Sequence, residues 1–183
     1  ILVLTPQPFS QQALLRMPTG SGDILEFYYT LPAVSRFTIH VNDLVPGQES
    51  SAHLITDYPV VAERAMYFDY KGVSDGHASM GCSQLSSTWY FAEGYTGPGF
   101  DEWLLILNPY YYYSVNARID FFFSDGTSTS RSFELPPASR NTFKINDIVG
   151  SRDVSMRVTT SSDFPVLAER AMYFLYRNAW GGG

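Results

Sequence analysis

The chain has 183 residues, 45% of them hydrophobic and 16% aromatic, which excludes a disordered polymer and leaves room for two small domains with cores. Its formal charge is −6, and Lys71 and Lys144 are its only lysines, so it lacks the basic surface that nucleic acid or an anionic membrane requires. No stretch approaches the roughly 18 apolar residues of a membrane helix. The single cysteine, Cys82, rules out an intramolecular disulfide and says little about compartment.

The chain carries an internal repeat, and that is read before its elements are. Pro59-Val60-Val61-Ala62-Glu63-Arg64-Ala65-Met66-Tyr67-Phe68 recurs as Pro165-Val166-Leu167-Ala168-Glu169-Arg170-Ala171-Met172-Tyr173-Phe174. The register extends upstream: Leu31-Pro32-Ala33-Val34-Ser35-Arg36 answers to Leu135-Pro136-Pro137-Ala138-Ser139-Arg140, and Val41-Asn42-Asp43 to Ile145-Asn146-Asp147. Residues 1–74 are therefore read as a first β-sandwich repeat, 75–86 as a small, polar linker, and 87–183 as a second repeat.

In chain order the second copy predicts strands at 89–93, 103–107, 117–123, 128–135, 142–145, 154–159 and 166–174. Ser124-Asp125-Gly126 marks a tight hairpin between the third and fourth of these. Seven short strands with turn signals about every ten residues predict an all-β fold, two tandem Ig-like or fibronectin-III-like antiparallel sandwiches. Trp103, Ile106, Phe121, Ile145, Met156 and Met172 are the expected core. The first copy has no counterpart of Trp89-Tyr90-Phe91-Ala92-Glu93, so it is expected to lack its first strand. That strand would come from upstream in the same protein or from a neighbour. Both ends are expected to be cuts through a longer array, with residues 1–86 poorly stable alone and 87–183 folding independently.

Trp89-Tyr90-Phe91-Ala92-Glu93-Gly94, with Phe100-Asp101-Glu102-Trp103, Asn108-Pro109 and Ala168-Glu169-Arg170-Ala171-Met172-Tyr173-Phe174, resembles an uncharacterised tandem repeat module of large bacterial secreted or surface-anchored proteins. The resemblance covers almost all of 87–183, and its later two-thirds recur in 1–86. It implies an Ig-like sandwich outside the cell, in strings, with no chemistry of its own. The expectation is a structural or adhesive module of a cell-surface protein or filament, in contact with neighbouring repeats or copies of itself, head-to-tail or by strand addition. The alternative is a carbohydrate-binding array attached to a secreted hydrolase. An enzyme is not expected.

Of the candidate site residues, Glu63-Arg64 and Glu169-Arg170 are strand dipeptides whose members point to opposite faces. One of each pair turns inward unless a bulge intervenes, and a buried charge needs a partner; Glu93 is the expected partner of Arg170. Tyr110, Tyr111, Tyr112 and Tyr113 follow Asn108-Pro109 at a strand-connecting tip and are candidates for a sugar platform or a protein contact, against simple cover of the sandwich end. Asp101-Glu102, Asn42-Asp43 and Asn146-Asp147 lack dense calcium-loop spacing; calcium is the weaker alternative to turns and caps, and no other metal or cofactor is expected. His40, His53 and His77 show no ligand spacing, and Cys82 has no basic neighbour to activate it.

Overall fold

The computed structural model describes residues 1–183 apart from Ser21, with the backbone alone for Val73 and Tyr176. The chain divides into two compact units. Residues Ile1–Met66 and His77–Ser83 form the first, and Tyr67–Gly76 and Gln84–Gly183 the second. Both are all-β, and the chain as a whole forms four antiparallel sheets. No helix is long and apolar enough to cross a membrane among the described residues.

The first unit builds on β1 (Leu2–Thr5), β2 (Gln11–Pro18), β3 (Ile24–Leu31), β4 (Ser35–Thr38), the single turn α1 (Val41–Leu44), β5 (His53–Thr56) and the greater part of the hairpin of β6 (Val61–Tyr70) and β7 (Val73–Met80), whose tip at 67–76 belongs to the second unit. Its strands form two sheets, ordered β4-β1-β6-β7 and β3-β2-β5. The second unit contains β8 (Thr88–Phe91), β9 (Phe100–Asn108), β10 (Val115–Phe123), β11 (Ser128–Leu135), β12 (Ser139–Lys144), the short α2 (Ile145–Val149), β13 (Val154–Thr159), β14 (Leu167–Tyr176) and β15 (Ala179–Gly182). Its sheets run β11-β10-β13-β8 and β12-β9-β14-β15.

The same sequence pieces fold alike in both copies. Ser35 Oγ donates to Pro32 O and Ser139 Oγ to Pro136 O, and each turn holds one non-glycine residue in the left-handed region, Val34 at φ 43° and Ala138 at φ 45°. The amides of those residues donate to Gln7 O and Tyr110 O. In the second unit, numbering β8 to β14 as first to seventh strand, the first lies beside the sixth and the seventh beside the second. An immunoglobulin constant domain has its first strand in the sheet of the second, and its seventh in that of the third and sixth. The first, fourth and seventh strands thus lie in the opposite sheets to those of an immunoglobulin constant domain, while the pairings of second with fifth and third with sixth are the same.

Between the two sheets of the second unit lies one contiguous core that includes Leu104, Ile106, Ile119, Phe121, Leu135, Met156 and Val158, all buried. The alternation of β9 corrects one expectation. Leu104 and Ile106 face inward, so Trp103, of opposite parity, faces out. Met172 is only partly buried, whereas Ile106, Phe121, Ile145 and Met156 lie in the core as expected.

The stretch read as a linker carries β7, which pairs with β6. The turn between them has positive φ at both central residues, Lys71 (52°) and Gly72 (80°); Arg177 (49°) and Asn178 (63°) do the same between β14 and β15. These are type I′ conformations, and neither Lys-Gly nor Arg-Asn is the Asn-Gly or Asp-Gly signal by which such turns are read. Gly181 and Gly182 are likewise paired, opposite Phe174 and Tyr173.

Phe121 is fully buried at the middle of this core. Phe121→Ala is expected to lower the unfolding free energy of the second unit by about 3–5 kcal/mol in a urea titration. A loss below about 1 kcal/mol would contradict the packing described.

Candidate functional site: a hairpin dock, a buried carboxylate and a tyrosine tip

The tip of the β6–β7 hairpin is part of the second unit, and it is held there by one carboxylate. Asp101 stands on the outer face of β9, on strand neighbours β12 and β14. Its Oδ2 accepts hydrogen bonds from Tyr70 Oη (2.6 Å) and Lys71 Nζ (2.8 Å), and its Oδ1 lies 3.0 Å from Lys144 Nζ. The only two lysines of the chain therefore converge on a single acid. Aromatic rings complete the dock. Tyr70 stacks on Tyr173 at 4.4 Å, Phe68 meets Tyr173 edge-on at 5.2 Å, and Lys71 Nζ lies 3.7 Å above the Trp180 ring. The Lys144 ammonium is 5.6 Å from the ring of outward-facing Trp103. Burial pushes the Asp101 pKa up, but the bonds from Lys71, Tyr70 and Lys144 outweigh it and hold the acid down at about 2. Burial and the hydrogen bond to Asp101 drive the Tyr70 phenol upward, so it stays a donor.

One residue on, the strand alternation turns Glu102 to the opposite face, where it is 0% exposed. Neither carboxylate oxygen has a side-chain hydrogen-bond partner. Burial raises its pKa to about 7, against the opposing pull of the Arg170 charge and the Tyr95 backbone. Gly94 packs directly on this group: a Cβ at that position would fall 2.3 Å from Glu102 Oε1. Asn146, on α2, ties the surrounding loop together. Its Oδ1 accepts from Glu102 N–H (2.9 Å), and its Nδ2 donates to Thr96 O (3.0 Å) and Phe100 O (2.8 Å). The Asn146 side chain thus fixes the backbone of this loop.

Arg170 is the inward member of its dipeptide. Its Nη1 donates to the backbone oxygen of Glu93 and lies 3.8 Å from Glu93 Oε2, a largely exposed carboxylate. So loose and wet an ion pair contributes little, and the bond to the carbonyl is the better contact. Glu169 is partly buried on the other face. In the first unit Glu63 is exposed, and Arg64 Nη2 donates to His77 Nε2 at 3.1 Å.

The four tyrosines divide two ways. Tyr110 covers the sandwich end: it packs edge-on against Phe164 at 5.3 Å, and its hydroxyl donates to Pro165 O. Tyr113 leans on Phe164, while Tyr111, Tyr112 and Tyr113 are exposed, Tyr112 to 88%. The Tyr111 and Tyr112 rings are tilted 46° to each other at 6.4 Å, so they do not form a flat two-ring platform. The loop is anchored by fully buried Asn108, whose Nδ2 donates to Tyr113 O, Leu135 O and Pro136 O. One ionic cluster had no sequence signal: on the outside of β10, Asp120 bonds Arg118 and Arg157 at 2.8 Å each. No group of three or more His, Cys, Asp or Glu side chains is placed to hold a metal among the described residues, and Cys82 is exposed.

No family model matches this chain, and neither does any curated protein. Among solved structures it is similar to Thermotoga maritima 1070, at a TM-score of 0.49 and 19% identity over 54% of this chain and 90% of that one. It is also similar to the Anabaena sensory rhodopsin transducer, at a TM-score of 0.42 and 21% identity over 49% and 99%. Similarity at this level carries no functional argument.

Asp101 and Glu102 give the second unit opposite pH dependences. Asp101, depressed from 3.8, contributes stability that is present above about pH 4 and lost as pH falls through 2. Glu102, raised from 4.5, contributes most below about pH 4.5 and loses on the order of 3 kcal/mol as pH rises through 7. Urea unfolding from pH 3 to 8 is expected to show that loss. Glu102→Gln should flatten the curve between pH 5 and 8, and an unchanged slope there would show that Glu102 does not titrate in that range.

Proposed function

We propose that the chain is a non-catalytic structural or adhesive repeat module, with Ig-like sandwiches in tandem, belonging to an extracellular bacterial surface protein or filament. Its role is to set spacing and to make protein–protein contacts. The observation that carries this reading is the hairpin dock. The chain passes from the first unit to the second inside the paired strand β6, and the hairpin tip is fastened by Asp101, Lys71 and Tyr70. A connection of this kind transmits load through hydrogen-bonded strands, where a loose linker would pay out first. The repeat of Ala-Glu-Arg-Ala-Met-Tyr-Phe in β14 and the matching β14–β15 hairpin support the same use at each copy.

Pulling single molecules from their two ends tests this. Because His77–Ser83 belong to the first unit, unfolding of the second unit releases chain from Gln84 onward, and the fastening of the hairpin tip is read in the force at which it unfolds. Asp101→Asn, which leaves two lysines without their acid, is expected to weaken the second unit by about 2–4 kcal/mol and to lower that force. An unfolding force unchanged in Asp101→Asn would overturn the reading.

A second reading, binding of polysaccharide, is favoured by the exposure of Tyr111, Tyr112 and Tyr113 on a loop pinned by Asn108. The tilt of the rings suits stacking of a sugar on one tyrosine at a time. Glycan-array signal that disappears in Tyr111→Ala/Tyr112→Ala would establish it, and the absence of signal for the unaltered protein would remove it.

A further inference from the structure

The outer face of the β11-β10-β13-β8 sheet is centred on the Asp120 cluster. Asp120 is paired with Ser130 on one side and Arg157 on the other, and Arg157 in turn with Tyr90. Residues two apart on a strand share a face, so Arg118 and Phe122 flank Asp120 on the same surface. Asp120 is buried and both its oxygens are used. Oδ1 accepts from Arg118 Nε at 2.8 Å, and Oδ2 from Arg157 Nε at 3.0 Å and Nη2 at 2.8 Å.

One arginine neutralises one carboxylate, and Arg157 already holds Asp120 by two bonds. Arg118 brings a second positive charge to a chain whose net charge is −6. It reaches Asp120 through Nε alone, and its side chain is 59% exposed. Its two Nη groups donate to no protein atom among the described residues, yet the bond to Asp120 fixes the plane in which they lie. A guanidinium held at Nε presents its Nη pair as an oriented fork, which matches a planar carboxylate by two parallel N–H bonds.

The surroundings of the fork suit a sugar better than a peptide. Ser132 and Thr159 are its cross-strand partners, so a hydroxyl stands on either side. Beyond Asp120 on β10 the Phe122 ring is exposed, with the Arg157 guanidinium 5.7 Å from its centre, and Tyr90 is exposed on β8. Such rings offer the flat apolar area that the face of a sugar covers. Phe122 is four residues from Arg118, roughly 13 Å along the strand, so only a ligand longer than one sugar engages both. Glu134, the remaining charge of this face, is exposed beside Asn116 at the opposite end, and it disfavours a further anionic group there. A chain anchored at Arg118 is therefore directed toward Phe122.

We propose that this face binds an acidic polysaccharide, with the carboxylate of one uronic acid on the Arg118 fork and a following sugar ring against Phe122. The inference goes beyond the spacing role, and its surface is separate from the tyrosine loop.

Titration of the whole protein with a galacturonic acid oligomer, followed by calorimetry and backbone amide shifts, tests it. Binding is expected, with shifts at 116–122 and 155–159. Methyl-esterifying the oligomer, which removes its charge, should weaken binding about tenfold or more, and so should Arg118→Gln. Arg118→Lys keeps the charge but not the fork, and is expected to lose nearly as much. Asp120 keeps Arg157 in both variants, so the fold should persist, checked by circular dichroism. Tyr111→Ala/Tyr112→Ala should leave this binding unchanged. No binding of the oligomer, equal binding of its methyl ester, or indifference to Arg118→Gln would overturn the proposal. So would a polyglutamate peptide bound as tightly as the sugar, or loss of binding in the tyrosine variant. The site touches neither Asp101 nor Lys71, so its failure leaves the pulling result standing, and the converse also holds.

Discussion

The interaction on which the second unit depends is the convergence of Lys71, Lys144 and Tyr70 on Asp101. A mostly buried carboxylate with two cations and a phenol is stable only while all partners stay, since removing one leaves charge behind in a poorly solvated place. That condition makes the hairpin tip a fixed part of the unit. Tyr70, Tyr173 and Trp180 pack around it, so Asp101 itself is buried while the Lys71 and Lys144 side chains stay 47% and 33% exposed.

Strand alternation then separates two neighbouring acids into two chemistries. Asp101 faces out toward cations and is held ionised, while Glu102 faces in toward Gly94 and Arg170 and is pushed toward its neutral form. The first unit forms the matching strands and turns, and its buried residues fall in two clusters among the described residues.

Much of this architecture could be read from residues. The repeated Ala-Glu-Arg-Ala-Met-Tyr-Phe segment falls on strands β6 and β14, and Ser124-Asp125-Gly126 marks the β10–β11 hairpin because its glycine takes the positive φ such a turn needs. The β6–β7 and β14–β15 hairpins escaped because lysine, arginine and asparagine occupy left-handed positions without the usual glycine pair. Trp103 faces outward because its parity is opposite to that of Ile106, which its size and hydrophobicity alone do not reveal. For the site, the pairing of Arg170 with Glu93 followed from the need to partner a buried charge, and the structure brings the two together through the Glu93 carbonyl. The scarcity of lysine was visible, but its meaning was not. Lys71 and Lys144 are 73 positions apart, and only the tertiary fold brings both to Asp101. Glu102 was legible only as half of an acidic pair.

Native-state hydrogen exchange of the hairpin tip tests most directly whether it is built into the second unit. If Asp101 fastens it, the paired amides of 67–76 should share the opening free energy of β9 and β14, and follow them when urea is raised. Amides at 67–76 that exchange at the rate of an unstructured loop, or that open together with β1 and β4, would contradict the account.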